Sequence, residues 1–180
     1  MKMTPAEDDL DVSCRVFCEH TDSLFLPAYL LTGSLTSAES CLISGVEMLA
    51  RQLPSDRRYL YTVARRCVIK AAIEVISPVI HNDGKEYTQG DGDGLQRDES
   101  RPRNETDSAW TLIEALDRTL RSMPALQRVA LVLRVFEGYS RRDASLLLGL
   151  SMATVEQASK EGFLRFAQCR YRNELISGEQ

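Results

Sequence analysis

The chain has 180 residues, 43% hydrophobic and 27% charged, with a formal net charge of −4; the length fits one compact domain or two small ones, and the composition is that of a globular protein. The negative balance excludes a polyanion binder that works through overall charge, so any nucleic-acid contact has to come from a local basic patch. No run approaches the roughly 18 apolar residues of a membrane helix, the acidic start from Met1 to Leu10 lacks the order of a secretory signal, and five scattered cysteines argue for reduced thiols, which together point to the cytoplasm and to no membrane partner.

The first eighty residues read as helical. Leu24, Leu26, Tyr29, Leu30 and Leu31 form an apolar stripe that Gly33 ends. Thr36 followed three residues on by Glu39 is a capping-box pattern. It predicts a second helix to about Gln52 with Leu42, Ile43, Val46 and Leu49 on one face. Pro54 and Ser55 restart the chain. A third helix follows with Leu60, Val63, Ala64, Cys67, Val68 and Ile76, and Pro78 is expected to stop it. Arg58, Arg65, Arg66 and Lys70 fall near one face of that helix beside Tyr59 and Tyr61. They read either as a solvated basic face or as a strand-binding surface with aromatic stacking.

Residues 81–106 are rich in Gly, Asp and Arg and nearly free of apolar side chains, the composition of a flexible linker. They divide the chain into residues 1–80, 81–106 and 107–180, with net charges of −2, −3 and +1. Four helical segments follow. The first runs from about Ser108 to Ser122 with Leu112, Ile113, Leu116 and Leu120 at helical spacing. Pro124 opens the second, which carries Leu126, Val129, Leu133 and Phe136 and ends at Gly138. Ser140 caps a short third helix holding Ala144, Leu147 and Leu148. Gly149 and Leu150 make the turn, and Ser151 caps the fourth, with Val155, Phe163 and Phe166 inward. No alternating strand pattern occurs. The expected fold is all-α: two small helical domains joined by a flexible linker, the C-terminal one a four-helix helix-turn-helix domain.

The stretch from Gly138 to Glu156 meets the needs of a helix-turn-helix. Such a unit requires a cap and a small residue where its helices cross, met by Ser140 with Ala144 or Ser145. It requires a turn residue that tolerates left-handed backbone, met by Gly149. Its second helix requires a cap and an inward anchor, met by Ser151 and Val155. That helix would lie in a major groove while the first crosses the backbone. A helical hairpin with no nucleic-acid partner is the plainer account of the same local pattern. Arg141 and Arg142 fall where the first helix would cross the backbone. Ser151 and Thr154 could bind phosphate at the recognition-helix N-terminus, where the helix dipole helps. Gln157 and Lys160 could reach base edges, with Arg165 beyond them.

Over Leu116 to Phe166 the sequence resembles region 4 of the extracytoplasmic-function sigma factors of the sigma-70 superfamily. The match rests on Leu120, Pro124 and Arg128, on Leu131 and Leu133, on the Glu137-Gly138-Tyr139-Ser140 corner, on Leu148-Gly149, and on Ser151 with Thr154-Val155. Residues 1–80 resemble region 2 in degenerate form, through Ala28-Tyr29-Leu30-Leu31-Thr32-Gly33, Ala38-Glu39 and Tyr59 to Arg66. The resemblance implies a DNA-binding sigma factor that directs core RNA polymerase to promoter DNA, with room for an anti-sigma factor as a further partner. Where family members place Lys and Arg along the recognition helix, this chain has Glu156, Ala158, Glu161 and Phe163. Carboxylates facing phosphates oppose binding. The alternative is therefore a sigma-like protein that reads no DNA and binds RNA polymerase or another sigma factor as a regulatory module. A one-component regulator that senses through its cysteines has no positive support.

No constellation for catalysis is present, so no enzyme activity is expected. No cofactor is expected either. Cys14, Cys18 and His20 fall short of the four regularly spaced ligands of a closed zinc site, and Asp91-Gly92-Asp93-Gly94 lacks the glycine and terminal Glu of a calcium loop. No metal is expected.

Overall fold

A computed structural model describes the backbone of residues 5–82 and 118–177 and the side chains of residues 11–82 and 118–168. Of the linker expected over 81–106, His81 and Asn82 are instead the end of a helix and the rest lies outside the described residues, as does most of the helix expected over 108–122. The chain divides into two compact units, Met1–His81 and Asn82–Gln180. All regular structure among the described residues is helical.

The N-terminal unit contains α1 (Pro5–Glu19), α2 (Thr21–Thr32), α3 (Leu35–Arg51) and α4 (Leu60–Asn82), the last preceded by a tight turn over Arg57–Tyr59. Leu24, Leu31, Leu49, Val68 and Ile69 are fully buried among them. Helix α1 was not among the expected elements. Among its described side chains Phe17 and Ser13 are buried, in an acidic segment. Phe17 finds its place only against α3 and α4: a Cβ on Gly45 would lie 3.0 Å from the Phe17 ring and 2.9 Å from a Val68 methyl.

Two further expectations are corrected. Ser34, not Thr36, caps α3, its hydroxyl accepting from the Ser37 amide at 3.3 Å. Glu39 then stands too far into the helix to return a bond to the cap. Pro78 does not stop α4, which continues to Asn82. Pro78 and Glu74 are both exposed, so the carbonyl that loses its amide partner faces water, while Ile76 and Ile80 stay buried and hold the turn in place.

Pro27 poses the same problem inside α2, where it deprives the Ser23 carbonyl of its helical donor. Arg65 of α4 supplies one instead: its Nη1 donates to that carbonyl at 2.9 Å and to the Tyr61 hydroxyl at 2.9 Å. Arg65 is thus tied into the unit, and Arg58 is clamped to Asp56, leaving Arg66 and Lys70 as the exposed remainder of the basic face. Arg65→Ala should lower stability by about 1 kcal/mol, seen as a lower urea midpoint at unchanged slope. An unmoved midpoint would show that water replaces the guanidinium at no cost.

Cys41 and Cys67 are core residues. Burial pushes the Cys41 thiol up to about 11 and raises Cys67 as well, although Gln52 hydrogen-bonds to Cys67. Both are therefore poor thiolates.

In the C-terminal unit residues 118–121 are helical, and α5 (Ala125–Leu131), α6 (Arg141–Leu148) and α7 (Met152–Ser177) follow. Leu120, Val129, Leu131, Leu133, Leu148 and Val155 form its core. The second segment is not one regular helix. Beyond Leu131 it widens to a π-type turn over Val132–Phe136, whose exit is held by Glu137 N–H to Val132 O and Tyr139 N–H to Leu133 O, both 2.9 Å. Phe163 does not point inward: it is 52% exposed. Val155, Ala158 and Gly162 occupy the face of α7 turned to α5, and Phe163 lies about 100° further round the helix. Phe166 is half-buried and packs edge-on against Phe136, ring centres 6.2 Å apart.

Candidate nucleic-acid interface

The site is built from α6, the glycine turn and the first turns of α7. Ser140 caps α6, its hydroxyl accepting from the Asp143 amide at 3.1 Å and donating to the Asp143 carboxylate at 2.6 Å. Ala144 is fully buried, so the helices cross closely there. Gly149 takes φ +64°, a left-handed conformation that glycine adopts at least cost. The Ser145 hydroxyl donates to the Leu150 carbonyl at 2.5 Å and ties the turn to α6. Ser151 caps α7, accepting from the Thr154 amide at 3.1 Å, and the two hydroxyls lie 2.8 Å apart. Val155 is fully buried, the anchor of the second helix. Arg134 donates to the Tyr139 carbonyl at 2.5 Å and braces the corner before α6.

All seven polar residues proposed for contact from the sequence are exposed, though not all are unpaired. Ser151, Thr154, Arg142 and Arg165 are exposed, and neither arginine pairs with an acidic side chain among the described residues. Arg141 is paired across the helix crossing with Glu156, and Lys160 reaches the same carboxylate at 2.9 Å. These hydrogen bonds, that from Lys160 first and that from Arg141 next, push the Glu156 carboxyl down to about 2. Whatever the pair contributes is present above the ordinary carboxylate range and is lost only as pH falls toward that value. Gln157 donates to Glu161 at 2.7 Å, and Glu161 also accepts from Gln127 of α5 at 2.7 Å. Glu161 thus tethers α7 to α5 as well as carrying charge. Ala158 is buried, so that position cannot present any side chain to a partner.

Residues 113–161 match the family model for sigma-70, region 4. The matched segment takes in α5, α6 and the recognition turns of α7. No curated protein matches the chain. Two residues of the matched segment do not stand out in the sequence. Met152 is 50% exposed at the first position of α7. Arg134 has no local signal, because its task depends on where the chain turns after the π-type widening.

Among the described residues no His, Cys, Asp and Glu side chains gather in threes to hold a metal ion, and no helix is long and apolar enough to cross a membrane.

Proposed function

We propose that this chain is a sigma-type transcription protein whose C-terminal unit binds promoter DNA and whose N-terminal unit engages core RNA polymerase. The observation that carries the reading is a capped helix-turn-helix, with Ser151, Met152, Thr154 and Gln157 exposed on its recognition helix, lying inside a segment matched to sigma-70, region 4. The α7 N-terminus and the Ser151 and Thr154 hydroxyls receive backbone phosphate, Arg142 and Arg141 flank it, and Gln157 and Lys160 face base edges. Arg165 extends the basic edge. Binding to polymerase supplies the rest of the affinity, since few cations are free. Any anti-sigma factor would act on the same assembly.

The test is titration of core RNA polymerase with the purified chain, followed by run-off transcription from genomic fragments. Saturable binding with specific transcripts is the expected result. The double variant Arg141→Ala/Arg142→Ala should weaken DNA binding alike on all sequences and flatten the log–log salt slope by about 1, chiefly through the unpaired Arg142. An unchanged slope would remove both arginines from the interface.

One observation favours a second reading: a single carboxylate, Glu156, occupies two of the cations expected to face DNA. A chain that binds polymerase saturably yet neither shifts DNA nor supports transcription would be the regulatory interaction module.

A further inference from the structure

We infer that Glu156 is a resident counter-ion of the DNA-facing cations, so that the region-4 unit binds DNA only by exchanging this carboxylate for a backbone phosphate. The inference rests on the DNA-binding reading above.

Arg141, at the start of α6, and Lys160, two turns into α7, come from opposite sides of the helix crossing and converge on one carboxylate. Together with Arg134 and Ser159 they line a shallow cleft of about 310 Å³ around it. A carboxylate held by an arginine and a lysine has the charge and the acceptor geometry of a phosphodiester oxygen pair, so the cleft is an anion site with its occupant built in. The pair is open to water: side-chain exposure is 52% for Arg141, 67% for Lys160 and 37% for Glu156. Exposed ion pairs are weak, so a phosphate can displace the carboxylate without unfolding anything. Exchange of one anion for another releases few bulk cations, whereas a free arginine or lysine contributes about 0.9 to the salt slope for each phosphate it neutralises. The arrangement therefore lowers affinity and blunts salt dependence together. It makes DNA contact by this unit conditional on a second foothold.

The experiment uses the full chain and a fluorescently labelled mixed-sequence duplex, with anisotropy read across a salt series. Four proteins are compared: wild type, Glu156→Gln, Glu161→Gln and Glu156→Gln/Arg141→Ala. Glu161→Gln removes the same charge from the same helix but frees neither Arg141 nor Lys160. Glu156→Gln should bind about tenfold more tightly than wild type, with a slope steeper by about 1 to 2. Glu161→Gln should stay within about twofold of wild type, and the double variant should lose the share of the extra slope, about 0.9, that Arg141 adds, keeping that of Lys160. Equal gains and equal slopes for the two single variants would reduce the effect to net charge and overturn the inference while leaving the DNA-binding reading intact. An unchanged Glu156→Gln would do the same. Absence of binding by both wild type and Glu156→Gln at the lowest salt would overturn the DNA-binding reading and the inference with it.

Discussion

Gly162→Val is expected to disrupt the C-terminal unit, lowering its stability by about 3 kcal/mol and its melting temperature by more than 10 °C. Gly162 sits where α7 crosses α5, and a Cβ there would stand 2.7 Å from the Gln127 carbonyl oxygen and 3.3 Å from the Leu131 Cβ. The obstructing atom is backbone, so no rotamer change relieves the clash and one helix has to move. Removing a helical glycine favours the helix by only about 1 kcal/mol, too little to offset that displacement. Gly162→Ala should therefore also destabilise, by less. Thermal melting followed by circular dichroism, together with amide exchange along α7, reads both. A variant that melts at or above the wild-type temperature would show that the two helices have room to part.

Leu31→Ala should cost the N-terminal unit about 3 kcal/mol. Leu31 is fully buried near the end of α2, just before the left-handed Gly33 that turns the chain into α3. Truncation removes several methyl groups and leaves a cavity beneath a corner held by the Gly33 amide and the Thr32 hydroxyl, so collapse is restricted. Amide exchange should rise across α2 and α3 and leave α6 and α7 unchanged. A cost under about 1 kcal/mol would mean that the corner closes over the gap.

What the residues of each unit disclose depends on the range of the forces involved. The caps at Ser140 and Ser151, the left-handed turns at Gly33 and Gly149, and the anchors Ala144 and Val155 were all foreseen. Each depends on neighbours within about one helical turn, and short polar side chains and glycines act on the backbone beside them. The misplaced cap at Thr36 shows the limit of that logic: two hydroxyl residues stood within reach, and packing of Ala38 and Cys41 into the core chose the frame that Ser34 caps. Pro78 was read as a stop because proline forbids one hydrogen bond. Whether that loss ends a helix depends on which side faces water, which no local pattern states. In the candidate interface the sequence offers exposed residues but not their pairing. Arg141 and Glu156 are fifteen positions apart and meet only because α6 and α7 cross at Ala144.

From its sequence alone this chain reads as all-α, with helices where the described residues have them and a helix-turn-helix between Gly138 and Glu156, because periodicity, caps and glycine turns are local properties. Tertiary structure decided that α1 exists, that Arg65 serves the carbonyl orphaned by Pro27, that Phe163 faces out and that Glu156 holds Arg141 and Lys160. Each of these is set by atoms distant in sequence that close packing brings within a few ångströms.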